Sequence, residues 1–285
     1  MLRTYARWRV AGDTTMTPVL AAAGISVSFG GVQAVVDVDL SVEEGSLVGL
    51  IGPNGAGKTT VIDAVSGFVR SSGRVALDGT DITGMRPHAR ARLGLARTWQ
   101  SIELFDDLSV RENLLVASQH PSVWGTLQEI VSRPAGDAGE ANEALELLGL
   151  TAVAEDLPSG LSQGQRKLVG IARALVARPR LVCLDEPAAG LDTRESEELG
   201  RRLRRLADDG QAMLLVDHDM GLVLGICDEV AVLEFGKVIA RGTPDVVRRD
   251  PQVVAAYLGG AATELAPAVL DSAAAQAAAA EAERG

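Results

Sequence analysis

Long apolar runs, a cysteine framework and an excess of positive charge are all missing from this chain of 285 residues. No apolar run approaches the ~20 residues that cross a bilayer, so any membrane role has to come through a partner. The two cysteines, Cys183 and Cys227, form neither a metal spacing nor a disulfide framework. Cys183 lies in an apolar run and reads as a small core residue, compatible with a reducing compartment. Against 38 acidic residues stand 27 Lys and Arg, a formal net charge of -11. A nucleic-acid binder usually carries a basic footprint, so this balance argues against one and reads as acidic solubility. No internal repeat is visible, which predicts one functional module rather than two.

What is present centres on Gly52-Pro53-Asn54-Gly55-Ala56-Gly57-Lys58-Thr59-Thr60. This is the G-x-x-x-x-G-K-T pattern of a phosphate-binding loop. The apolar run Leu47-Val48-Gly49-Leu50-Ile51 precedes it as a buried strand, and Val61-Ile62-Asp63-Ala64-Val65 continues it as a helix. The glycines let backbone N–H groups turn inward around phosphate oxygens, and the helix N-terminus adds partial positive charge. Lys58 has the reach for β- and γ-phosphates, and the Thr59 hydroxyl is a Mg²⁺ ligand in such loops.

Residues 1–17 carry Arg3, Arg7 and Arg9 against Asp13 and lack a signal-peptide pattern. They read as a flexible leader; residues 18–260 read as the folded domain. Residues 261–285 are mostly alanine with scattered acids, the composition of a solvated tail. Within the domain, residues 20–40 predict a hairpin turning at Gly30-Gly31. Phe29 before that turn is either a stacking surface for an adenine ring or an ordinary strand aromatic. A short strand from Gly73 ends in an Asp78-Gly79 turn. Residues 87–95 predict a helix, with Arg86, Arg90, Arg92 and Arg97 on a solvated face and His88 exposed. Gln100, after a strand, can place its amide on Mg²⁺ or on an attacking water. Ser109 and Glu112 form a capping box, residues 117–139 read as a loop, and a helix follows over residues 140–150.

The second half repeats the theme of strand followed by chemistry. Ser162 opens a helix whose Leu168, Ile171, Ala172 and Leu175 share one face. It is a plain N-cap, or, with Gly164 and the helix terminus, a set of donors for an anion. Leu181-Val182-Cys183-Leu184 is a buried strand ending in Asp185 and Glu186. An Asp there matches the residue that holds Mg²⁺, and Glu186 can serve as general base for water. Residues 212–216 form a further strand, after which His218 is placed for contact with a γ-phosphate. A hairpin turning at Phe235-Gly236-Lys237 and a helix over residues 251–258 close the domain.

In this order, the phosphate loop, Gln100, Leu161-Ser162-Gln163-Gly164-Gln165, Asp185-Glu186, Asp192 and His218 resemble the ATP-binding cassette ATPases over about residues 18–260. Gln163 stands where the commonest signature has glycine. The resemblance implies an α/β phosphate-loop NTPase fold: a mainly parallel core sheet, an N-terminal antiparallel β subdomain and an α-helical signature subdomain. It implies ATP and Mg²⁺, with Thr59, Gln100 and Asp185 on the metal. It implies catalysis by Glu186, His218, Gln100 and Lys58. Nucleotide would be held by Phe29, Gly52, Asn54, Gly55, Ala56, Gly57, Lys58, Thr59 and Thr60, with Ser162, Gly164 and Gln165 reaching the nucleotide of a second cassette.

A narrower likeness lies in Arg97-Thr98-Trp99-Gln100, Glu186-Pro187-Ala188-Ala189-Gly190-Leu191, Asp217-His218-Asp219-Met220 and the end of the domain from Phe235. These are similar to branched-chain amino-acid uptake cassettes, although Asp192 stands where many of that group have asparagine. It implies separate permease subunits, a second ATPase, identical or paralogous, an extracytoplasmic solute-binding protein, and a peripheral place on the cytoplasmic face of the membrane. Import of urea, amides or aromatic acids, an exporter, and a soluble cassette outside transport remain the alternatives.

Overall fold

The computed structural model describes residues 17–99, 103–118 and 138–258. The first hairpin forms as expected, from β1 (Leu20–Phe29) and β2 (Val32–Val42). It joins β4 (Ser72–Leu77) and β5 (Thr80–Asp81) in an antiparallel sheet of order β2-β1-β4-β5. Between β4 and β5, Asp78 and Gly79 both take positive φ, 45° and 74°, the paired left-handed geometry of a two-residue hairpin turn.

The second sheet is built from β3 (Leu47–Ile51), β6 (Leu95–Arg97), β7 (Leu181–Asp185), β8 (Ala212–Val216), β9 (Glu229–Glu234) and β10 (Lys237–Gly242). Its order is β10-β9-β3-β8-β7-β6, and only the β9–β10 pair is antiparallel. The unbroken apolar runs of β3, β7 and β8 are explained by burial on both faces. Ile51, Leu184 and Leu215 face one core; Leu50, Cys183 and Leu214 face the other. Burial raises the Cys183 thiol to about 12, in keeping with an inert core residue.

Helix α1 (Lys58–Ser66) lies between the two sheets, with Val61, Ile62 and Val65 packed among Val27, Val38 and Leu50. The other core joins α3 (Val110–Ser118), α4 (Ala138–Leu147), α5 (Gln163–Leu175), α6 (Thr193–Asp208) and α7 (Met220–Ile226). The chain closes with α8 (Pro244–Arg249) and α9 (Pro251–Leu258). The Ser109–Glu112 box caps α3: Ser109 N donates to Glu112 Oε2 at 2.7 Å and Glu112 N to Ser109 Oγ at 3.2 Å.

Two expectations about the arginines fail. Helix α2 spans only Pro87–Arg92, and Leu95 begins a strand. Arg86 and Arg92 are exposed, but Arg90 is buried at 2 % exposure. Its guanidinium donates to the carbonyls of Ala64 and Val65 at the C-terminal end of α1, and to those of Thr83 and Met85. Helix ends leave carbonyls without intrahelical partners, and five guanidinium donors suit such a cluster. Spacing along α2 carries no sign of this, because the acceptors belong to another element. The Arg97 side chain is also withdrawn from solvent, 5 % exposed, in the site described next.

Candidate functional site

At the carboxyl end of β3 the loop is gripped from both sides. A Cβ on Gly52 (φ 153°) would stand 2.1 Å from Leu233 O, and one on Gly57 (φ 103°) 2.6 Å from Ala34 O. Glycine is therefore required at both positions on steric grounds. The turn of the β9–β10 hairpin completes the clamp: Gly236 N donates to Ala56 O at 2.9 Å, and Val36 N donates to Gly236 O at 2.8 Å.

Helix α1 starts at Gly57 without a side-chain cap and with no acid in its first turn. Its leading N–H groups and dipole are left for an anion. Asn54, Gly55 and Thr59 are exposed beside it, Thr60 is half-buried and Ala56 is buried. Lys58, 6 % exposed, folds back over the loop and donates from Nζ to Gly52 O at 2.6 Å and Pro53 O at 3.0 Å. Desolvation lowers its pKa, opposed by the carboxylates of Glu186, Asp217 and Asp185.

Those carboxylates arrive on β7 and β8. Glu186 takes a left-handed turn, φ 47°, rare for a residue with a long side chain. Its N–H donates to Val216 O at 2.7 Å, which holds the turn against β8. His218 Nδ1 lies 4.0 Å from Glu186 Oε2 and 3.5 Å from Asp217 Oδ1. Asp217 is fully buried and accepts from the backbone N–H groups of Ala188, His218 and Asp219 at 3.0, 2.8 and 3.0 Å. It thereby ties the segment after β7 to the segment after β8. Lys167 donates to Glu186 O at 3.4 Å, and burial lowers its pKa against the pull of Asp217 and Glu186.

Arg97 sits between two acids: Nη1 reaches Asp63 Oδ1 at 2.5 Å and Nη2 reaches Asp185 Oδ2 at 2.9 Å. Its guanidinium stacks 4.2 Å from the Trp99 ring centroid. A cleft of about 990 Å³ opens here, walled by Thr59, Asp63, Arg97, Trp99, Phe105, Lys167 and Asp185. The acids and oxygen donors at its base suit a hard divalent cation: the Thr59 hydroxyl on α1 and the Asp185 carboxylate are the ligand types such ions take. Gln100 lies outside the described residues.

The signature turn is a separate cluster. Ser162 Oγ accepts from Gln165 N at 3.2 Å, and Ser162 N donates to Gln165 Oε1 at 2.9 Å, closing a capping box on α5. Among the described residues, the hydrogen bonds and ion pairs of Ser162, Gly164 and Gln165 do not reach the phosphate loop. Phe29 ends β1 at the tip of the first hairpin, 51 % exposed. The structure brings Lys58, Asp185, Glu186 and His218, each singled out in the sequence, to one crevice. The sequence reading missed Asp217, Lys167 and the Asp63–Arg97 pair. Only position marks Asp217, as the acid immediately after a buried strand.

Comparison with known proteins meets this geometry. The ABC transporter family model matches residues 35–189, and that of the branched-chain amino acid ATP-binding cassette transporter matches residues 237–263. The chain is 40% identical over 252 residues to BraF of Pseudomonas aeruginosa, a high-affinity branched-chain amino acid transport ATP-binding protein, covering 86% of this chain and 99% of that one. With LivG of Escherichia coli K12, of the same description, it shares 37% over the same coverage. A solved ATP-binding cassette of an ABC transporter in its ADP conformation superposes with a TM-score of 0.76 at 31% identity, covering 86% of this chain and all of that one. The first family model spans more than half of the sequence, and on that ground together with these relatives the chain belongs to the ABC transporter family as an ATP-binding cassette.

Proposed function

We propose that this chain is the ATP-hydrolysing subunit of an importer for branched-chain or other hydrophobic amino acids. The observation that carries the ATPase reading is the crevice itself. An uncapped helix N-terminus and a buried lysine face Asp185, Glu186 and His218, all at the carboxyl ends of parallel strands. Ligands of open α/β sheets bind at that edge. The cargo reading is supported by the match at residues 237–263 and by the description of BraF.

In this reading Lys58 exchanges the carbonyls of Gly52 and Pro53 for the β- and γ-phosphates of ATP. The loop N–H groups from Gly52 to Thr60 surround the same oxygens, and Phe29 stacks on the adenine. Thr59, Asp185 and Gln100 would hold Mg²⁺, which offsets phosphate charge when bound. Glu186 takes a proton from the water that attacks the γ-phosphorus. The P–O bond to ADP breaks, and its electron pair leaves on the β-phosphate oxygen. His218 donates a hydrogen bond to the transferring group. Ser162, Gly164 and Gln165 contact nucleotide on a second cassette, identical or paralogous, so that closure depends on the γ-phosphate and hydrolysis reopens the pair.

No helix among the described residues is long and apolar enough to cross a membrane. Permease subunits therefore supply the pathway, and a solute-binding protein delivers the amino acid. The cleft with exposed Trp99 and Phe105 is the face we assign to the permeases, which puts the chain peripherally on the cytoplasmic side. The test is uptake of labelled leucine in cells whose only copy of this subunit carries Glu186→Gln. Uptake and phosphate release should both fall by about 100-fold or more; full uptake would falsify the role.

A further inference from the structure

The signature turn already holds an anion, and that anion belongs to the same chain. Glu195 Oε1 lies 3.3 Å from Ser162 Oγ, which donates to it, and 3.3 Å from Gly164 N. The approach is close: a Cβ on Gly164 would stand 3.0 Å from that oxygen. Glu195 is the third residue of α6, and Asp192 caps the helix by accepting from Glu195 N at 2.8 Å.

A Glu at this position commonly turns back to the N–H of its own cap residue. Glu112 in α3 does so, and so does Gln165 in α5. Glu195 instead crosses to another helix. Its carboxylate stands at the N-terminal ends of both α5 and α6, where two helix dipoles favour negative charge. A second contact holds the same two segments together: the Gln163 amide packs over Gly190, where a Cβ would stand 2.5 Å from Nε2.

We propose that Glu195 is an internal competitor for the signature turn, occupying the donors that the terminal phosphate of the partner cassette's ATP takes on closure. This rests on the reading that Ser162 and Gly164 contact nucleotide across the pair. A carboxylate and a phosphate cannot share one hydroxyl and one N–H at contact distance, because both lack donors and repel. Closure therefore requires the Glu195 side chain to swing out. The cost of that release raises the ATP concentration needed to close the pair, because the share of molecules in the binding-incompetent state lowers apparent affinity. The same residue keeps the signature donors satisfied while the cassettes are apart.

The test is the ATP dependence of hydrolysis by the complete transporter, purified with its membrane subunits, for wild type, Glu195→Ala, Glu195→Gln and Ser162→Arg. Melting of each variant cassette is followed alongside to establish that it folds. Competition predicts a KM for ATP lowered about fivefold by Glu195→Ala. Glu195→Gln, which keeps an acceptor oxygen without the charge, should lower it by less. If Glu195 is only a strut that positions α5, its removal raises KM or leaves it unchanged, and either result overturns the proposal. Ser162→Arg separates the layers. Turnover lost there, with KM unmoved in Glu195→Ala, rejects the competitor alone. Turnover retained in Ser162→Arg rejects the contact across the pair and the competitor with it.

Discussion

Two helix N-termini are assigned to phosphate in the proposed function, and they are finished in opposite ways. Helix α1 begins with glycine, has no side-chain cap and has no acid in its first turn. Helix α5 begins with Ser162, closed by Gln165 and covered by Glu195. The first is held by its surroundings, since Ala34, Leu233 and Gly236 clamp the loop from outside. Its donors stay open and its lysine rests on the loop's own carbonyls. The second stabilises itself with its own side chains, and in the proposed cycle it gives up its donors when a second cassette closes. In that proposal one terminus keeps its ligand within the chain's own crevice, and the other is completed by assembly. That division explains why preorganisation matters at α1, whereas self-sufficiency matters at α5.

The largest expected effect tests the open terminus. Lys58→Ala should lower phosphate release by about 1,000-fold, while the urea midpoint moves little, because removing a buried ammonium also removes its desolvation cost. A variant that keeps turnover would mean the loop alone binds the triphosphate, and the asymmetry between the termini would collapse. Next, Gly57→Ala forces a Cβ against Ala34 O in a left-handed backbone. It should cost about 2–3 kcal/mol in urea unfolding; a loss under half a kilocalorie would show that the clamp yields. The smallest effect belongs to the capped terminus. Ser162→Ala should cost about 1 kcal/mol, seen as a lowered urea midpoint in the isolated chain without nucleotide. Equal stability for wild type and variant would mean that α5 does not depend on its own cap.

The sequence carried the open terminus well. The loop spacing, the apolar strand before it and the helix after it are local, and each appears where the pattern puts it. The hairpins at Gly30-Gly31, Asp78-Gly79 and Phe235-Gly236 were equally legible, because a turn is a statement about two or three residues. The places of Asp185, Glu186 and His218 at strand ends are legible because a strand end is visible as the end of an apolar run. The arginines are not. Arg90 and Arg97 look like members of a charged surface, yet one caps the far end of α1 and the other bridges Asp63 and Asp185. Asp217 gave little warning too, since its three N–H donors are backbone groups that any sequence possesses.

By itself the chain's order of residues determined which segments are strands buried on both faces, where the backbone must turn without a side chain, and which lysine and acids stand at strand ends. Those are consequences of periodicity and of steric limits acting within a few residues. Only the tertiary structure decided where the long side chains are anchored: Arg97 on acids 34 and 88 positions away, Lys58 beneath carboxylates from two other strands, and Glu195 on a helix start 31 positions earlier. A guanidinium or carboxylate several bonds from its backbone takes whatever partner packing brings within reach, and packing is a property of the whole fold.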